Sequence, residues 1–143
     1  MFLIFDTETT GLPLDNNAPL TNFNNWPRMV QLAWQIHDEN GKFIKAENHI
    51  VRPDGFIIPI NASMVHGIST EHALKVGESL DQVLDIFTED LKCVKYVVGH
   101  NVRFDLNIVG FLNLRPGPPP NLQKLAVFSV SNPSKIPFIS EDE

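Results

Sequence analysis

An apolar run, Phe2-Leu3-Ile4-Phe5, leads without a break into Asp6-Thr7-Glu8-Thr9-Thr10-Gly11-Leu12. Four apolar residues that give way to a polar, Gly-containing stretch predict a buried strand. Side chains alternate along a strand, so Asp6 and Glu8 share one face at the end of a core element. Two carboxylates in that position cost desolvation and repel each other, and a divalent cation between them is a common offset. The alternative is a pair of solvated strand-end acids, one of them capping a following helix. Thr9, Thr10 and Gly11 favour the metal site, because they add hydroxyls and a residue that admits close backbone approach, with Leu12 projecting beside the acids.

A second acidic element lies in Tyr96-Val97-Val98-Gly99-His100-Asn101-Val102-Arg103-Phe104-Asp105. A short apolar strand breaks at Gly99, and a helix is predicted from about Asn101, a favoured N-cap residue. Asp105 then falls in or just after the first turn. The positive end of the helix dipole favours a carboxylate there, so Asp105 is read either as a structural charge or as part of a site.

Asp6-Thr7-Glu8-Thr9-Thr10-Gly11, then His66-Gly67-Ile68, then Gly99-His100-Asn101 through Phe104-Asp105 resemble the first two motifs, and the loop between them, of the DEDD exonucleases. The likeness is strongest to proofreading epsilon subunits of bacterial DNA polymerase III, and it runs from Met1 to about Val109. The resemblance implies an α/β, ribonuclease H-like mixed sheet flanked by helices. It also implies a 3'-5' exonuclease acting on single-stranded DNA ends, or on RNA, with a DNA polymerase subunit as a candidate partner. In that family four acids bind two Mg²⁺ or Mn²⁺ ions, and a pair about 3.5 to 4 Å apart stabilises the attacking water and the leaving oxygen. By resemblance Asp6 bridges both ions, Glu8 serves the nucleophile's metal and Asp105 the other. Thr9 receives the terminal nucleotide, Leu12 wedges against its base, and His66, Asn101 and Phe104 line the pocket. Each of these has a plainer role open to it: turn packing for Leu12, core for Phe104, a cap for Asn101 and a half-buried turn histidine for His66.

The pattern then stops. The family's last motif places a His or Tyr general base on a late helix, with the fourth acid five residues after a His or four after a Tyr. Here the histidines are His37, His49, His66, His72 and His100, the one tyrosine is Tyr96, and Asp142 is the one Asp beyond Asp105. Asp142 lies in the acidic run Glu141-Asp142-Glu143, which reads as a terminus and not as a ligand cluster. Six of the eleven prolines follow Arg115, where the family continues with helices that such sequence cannot supply. One strand is predicted over Leu125 to Val130, with Ala126 where relatives often place an Asp. The expectation is an exonuclease-like domain over residues 1–130, divergent from 110, with 131–143 as a tail and with an end that is truncated, frameshifted or otherwise altered. Two functions follow as alternatives: an exonuclease impaired for want of its base and fourth acid, or a non-catalytic module that holds nucleic-acid ends or a polymerase. Loss of the late helices predicts an uncovered apolar sheet face, hence self-association or a tail folded over it.

A chain of 143 residues with 43% hydrophobic content can bury one core. Its net charge of -6 argues against broad, non-specific gripping of duplex DNA but not against a cleft that takes a few nucleotides. Arg103 and Lys124 are candidates for phosphate contact. The apolar runs are too short to span a bilayer, and Met1-Phe2-Leu3-Ile4 leads straight into Asp6, so no signal peptide or membrane anchor is predicted. A lone Cys93 reads as a buried thiol in a reducing cytoplasm.

Periodicity and turn residues predict the remaining elements. Pro13 to Pro27 reads as a surface loop whose return is anchored by Trp26. Met29 to His37 and Lys42 to Val51 read as a hairpin around Asn40-Gly41. Asn61 to Val65 and the segment opened by Ser69 read as short helices, and Leu80, Val83, Leu84, Phe87 and Leu91 mark the inner face of a longer one.

Overall fold

The computed structural model describes residues 1–112 and 126–130. Lys124, Asp142, the late prolines and the tail expected over 131–143 lie outside the described residues. In chain order the elements are β1 (Phe2–Thr9), β2 (Met29–His37), β3 (Phe43–Ile50), α1 (Ile60–His66), α2 (Thr70–Val76), α3 (Leu80–Lys92), β4 (Tyr96–His100), α4 (Val102–Leu112) and β5 (Ala126–Val130). The strands form one sheet in the order β3-β2-β1-β4-β5. The β1–β2 and β2–β3 pairs are antiparallel, and β1–β4 and β4–β5 are parallel. A hairpin pair of strands followed by a helical crossover to parallel strands is the expected mixed α/β architecture.

The predicted alternation in β1 holds. Leu3, Phe5 and Thr7 are buried, whereas Asp6 is exposed and Ile4 and Glu8 are half-buried on the opposite face. Trp34, opposite Phe5 in the ladder, and Phe5 itself both pack on Phe87, with ring centroids 5.1 and 5.3 Å apart. Phe87 belongs to the predicted stripe of α3, where Val83, Leu84 and Leu91 are also buried. Asp90, outside that stripe, accepts a 2.7 Å hydrogen bond from Trp34 Nε1 and pairs with Lys45, which satisfies the indole at the edge of the core.

Local sequence sets the element ends. Asp38 accepts from the backbone N–H groups of Asn40 and Lys42, and Gly41 takes φ 82°, which closes the hairpin where Asn40-Gly41 predicted it. Ser69 and Ser79 cap α2 and α3 by accepting from His72 and Gln82 N–H. Trp26 is buried and donates from Nε1 to Pro19 O, as an anchor of the long loop should. Cys93, expected to be buried, is instead exposed. It is the C-cap of α3, two residues past Leu91 where the apolar stripe ends, so the turn carries its thiol away from the core.

Gly77 ends α2 where the chain runs beside Arg52. A Cβ there would stand 2.3 Å from Ala73 O and 2.7 Å from Arg52 N, both backbone atoms that cannot swing aside. Gly77→Ala is therefore expected to destabilise by about 3 kcal/mol or more, lowering the melting temperature by roughly 10 °C. An unchanged thermal melt would contradict this packing. Among the described residues no helix is long and apolar enough to cross a membrane.

Candidate active site

The parallel ladder between β1 and β4 ends at the pair Ile4 and Val98. Beyond it β1 continues to Thr9 and, among the described residues, no strand pairs with that edge; α4 brings Asp105 into the gap. Asp105 Oδ1 accepts from Thr7 N at 3.0 Å and from Thr7 Oγ1 at 2.5 Å, 98 residues away in sequence. Gly99 permits this approach, because a Cβ on it would lie 2.9 Å from Val102 Cγ2 and 3.2 Å from Phe5 O. Asp105 is only 2% exposed, so its carboxylate replaces a missing strand partner and is not a solvated helix-end charge.

Asp6 is electrostatically central. Although the Asp6 side chain reaches solvent, the protein packed around it partly desolvates its carboxyl and raises it above its ordinary value, offset in part by a backbone hydrogen bond and by His100. Burial and then the charge of Asp6 raise Glu8, and His66 opposes that rise. Asp105 is pushed up to about 6, first by burial, against the Thr7 hydroxyl bond that lowers it and with the repulsion of Asp6 added. Asp6 thus acts on both other acids. Strand alternation sends Asp6 and Glu8 to one face while Asp105 reaches the strand edge and bonds Thr7. Among the described residues no three His, Cys, Asp or Glu groups close to metal-holding spacing.

The chemistry of the donor set nevertheless fits a hard divalent cation. Three carboxylates are held in the ionised state only against burial and one another, and a cation relieves both costs. A stability signature follows. An Asp whose folded pKa exceeds the unfolded value binds more protons when folded, so stability is greatest at low pH and falls as pH rises from about 4 to about 6. Asp105→Asn keeps the acceptor for both Thr7 bonds and removes the charge. It is expected to raise metal-free stability at pH 8 by about 3 kcal/mol and to leave stability near pH 4 almost unchanged. Denaturant melts at the two pH values check this, and an equal effect at both would contradict it.

The other predicted residues are placed as follows. His66 Nδ1 accepts from Ile68 N, which leaves the proton on Nε2, and that buried atom has no hydrogen-bond partner among the described residues. Its imidazole is near enough to Glu8 to influence it. Gly67, at φ 77°, ends α1 immediately after His66 and fixes this turn. Thr9 Oγ1 donates to Gly11 O at 2.7 Å, so its hydroxyl holds the turn, and Leu12 projects into solvent at 83% exposure. Asn101 is at the entrance to α4 with φ 47°, in the left-handed region and not the extended geometry of an ordinary N-cap. With Phe104 it lines a cleft that also includes Arg103 and Trp26 but none of Thr9, Leu12 or His66.

Two residues of the site were not assigned from sequence. Thr7 holds Asp105, and the signal was its odd position between Asp6 and Glu8, which turns it to the core face. His100 acts on Asp6 from the end of the neighbouring parallel strand.

The exonuclease family model RNase_T matches residues 3–112. Escherichia coli exonuclease I in complex with a dT13 oligonucleotide superposes with TM-score 0.70 at 23% identity, over 90% of this chain and 27% of that chain. A product-bound exonuclease I gives TM-score 0.71 at 22% identity, over 90% and 29%. An exonuclease I/SSB-Ct complex gives TM-score 0.70 at 22% identity, over 90% and 28%. At these identities the likeness shows a shared fold, and this chain spans less than a third of the length of those proteins. No curated protein matches the sequence.

Proposed function

Because the chain belongs to the RNase_T exonuclease family, matched over residues 3–112, we propose that it is a metal-dependent 3'-5' exonuclease domain acting on single-stranded DNA ends. One observation carries the reading. Asp6 and Glu8 leave a common face of β1, and α4 delivers Asp105 to the same strand end.

Asp6, Glu8 and Asp105 are the residues that would hold Mg²⁺ or Mn²⁺, and a bound pair of such ions supplies charge that acidifies water and stabilises a leaving oxygen. The chain's own groups do the rest. Asp6 adds to the negative charge that both other acids feel. Thr7 fixes Asp105 through two hydrogen bonds, so the carboxylate needs little reordering on binding. The unpartnered His66 Nε2–H is a donor for a phosphate or base oxygen next to Glu8. Leu12 projects apolar surface on which a terminal base can rest, and Thr9 holds the turn that presents it. Hydrolysis adds water across the last phosphodiester, frees the 3' oxygen of the penultimate nucleotide and releases a nucleoside 5'-monophosphate.

The test is strand polarity. A single-stranded oligonucleotide labelled at its 3' end is expected to release labelled mononucleotide with Mn²⁺ and none with EDTA. Release of mononucleotide from a 5' label as the first product, or internal cuts, would exclude the assignment.

A further inference from the structure

On the other flank of α4 from Asp105 lies a cleft of about 260 Å³, lined by the amides of Asn16, Asn17, Asn101 and Asn107, by Arg103, and by the rings of Trp26 and Phe104. At 100° per residue, Arg103, Phe104 and Asn107 fall within about a third of the helix circumference. Asp105 lies about 160° around the helix from Arg103 and Asn107 and about 100° from Phe104, so the Arg103 and Asn107 side of the cleft faces away from the acid.

The loop wall of this cleft is built. Asn25 is buried, accepts from Asp15 N at 2.7 Å and donates to Asp15 O at 2.9 Å. Trp26 is fastened to Pro19 O, and the loop is closed at its base by Thr10 N to Arg28 O and Arg28 N to Thr10 Oγ1. Asn17 N donates to Asp15 Oδ1, which sets the turn that presents Asn16 and Asn17. The opposite wall is set by Asn101, whose left-handed φ of 47° turns the chain between β4 and α4. Among the described residues, none of the four amide side chains has a hydrogen-bond partner and Arg103 has no ion pair.

A primary amide offers a donor and an acceptor side by side, which matches the edge of a nucleobase. The half-buried Phe104 ring, backed by the buried Trp26, offers a stacking face, and the Arg103 guanidinium takes a phosphate. One cation among neutral amides suits a ligand with one negative charge per planar, hydrogen-bonding unit. We propose that the cleft is a second nucleotide subsite, which grips one unstacked base and its phosphate in the single strand upstream of the terminus held by the acids. This rests on the exonuclease reading above, and it makes the chain prefer a strand to a free mononucleotide.

The test uses the full chain and a 5'-fluorescent dT12 strand, with binding read by anisotropy in EDTA and in Mn²⁺. Asn16→Ala/Asn17→Ala, Asn107→Ala and Arg103→Gln are each expected to weaken strand binding roughly tenfold, with or without metal. Calorimetric Mn²⁺-dependent binding of dTMP should be the same in all of them. In strands carrying one abasic nucleotide at successive positions from the 3' end, one position should cost the wild type that factor and cost the variants nothing. The loop pair is solvent-exposed, so its melting temperature should match the wild type, which keeps the comparison interpretable if Asn107→Ala misfolds. Natively melting variants that bind dT12 as tightly as the wild type would overturn the subsite. So would a flat abasic profile, or a parallel loss of dTMP binding. Failure of the exonuclease reading shows separately, as absence of Mn²⁺-dependent dTMP binding in the wild type or its survival in Asp6→Ala.

Discussion

Asp6→Ala is expected to lose Mn²⁺ affinity by roughly 100-fold or more while leaving the metal-free protein at least as stable as the wild type. The first half follows from position. Asp6 is the acid whose charge acts on both Glu8 and Asp105, so its removal takes a donor from the middle of the set. Loss of outer-shell partners alone typically costs 10- to 100-fold, and loss of a central carboxylate should cost more. The second half follows from repulsion. The Asp6 side chain reaches solvent and belongs to neither hydrophobic cluster of the core, while its charge raises the other two carboxyls. Without it, Glu8 and Asp105 should titrate closer to ordinary carboxylates. The paired outcome is distinctive, because a structural residue would lose stability on truncation and an idle surface acid would change neither quantity. Calorimetry with Mn²⁺, denaturant melts and carboxyl titration by NMR read the three effects. Equal Mn²⁺ affinity in wild type and Asp6→Ala would sink the assignment.

Proton linkage adds a further constraint on the same site. A cation needs Asp105 ionised, and the free protein holds that carboxyl at about 6. Metal affinity should therefore rise as pH climbs through 6 and then level off. The metal-free protein should lose stability over that interval, since it must carry the unrelieved charge. Opposite pH trends for free and metal-loaded protein are the expected mark of a site whose strain is electrostatic.

How much of this was legible in the sequence depended on whether the cause was local. The β1 alternation, the Asn40-Gly41 hairpin, the α3 stripe and the Ser69 cap are each set by residues within a few positions, and all appear where the sequence predicts them. Trp26 was also legible, because a large indole in an otherwise polar loop has few alternatives to burial. Asp105 was legible only in part. Its place in the first turn of α4 suggested a dipole-stabilised charge, whereas its surroundings come from Thr7, 98 residues distant, and from the end of a parallel ladder. No local pattern encodes where two strands diverge. The same holds for Asn16 and Asn17: their residue types mark a turn, but their position against α4 is fixed by the Asn25 and Trp26 contacts that fold the loop back. Cys93 went wrong for a simple reason. One turn residue past a helix stripe reverses the direction of a side chain, and composition carries no information about that reversal.

The chain itself is expected to cut single-stranded DNA about 10² to 10⁴ times more slowly than an exonuclease of this family with a complete set of motifs. Three acids are present at the strand end, but no His follows His100, and the one tyrosine, Tyr96, lies in β4. Among the described residues, the proton of an attacking water would find no His or Tyr acceptor at the place the family motif implies, and general-base assistance is worth that factor. His66 does not supply it. Its Nδ1 is spent on Ile68 N, so Nε2 carries the proton and can donate but not accept. End binding requires no proton transfer, and the acids, His66 and Leu12 remain available for it. Affinity for 3' ends in Mn²⁺ should therefore survive where rate does not. A time course of 3'-labelled single-stranded DNA with Mn²⁺ beside Glu8→Ala separates the cases. Slow release that Glu8→Ala abolishes fits an impaired exonuclease. Fast release that Glu8→Ala abolishes would mean that another acceptor and a fourth ligand, from elsewhere in this chain or from a second copy, complete the site. Release that Glu8→Ala leaves unchanged would remove Glu8 from the machinery altogether, and with it the reading of the Asp6-Thr7-Glu8 strand end as a catalytic centre.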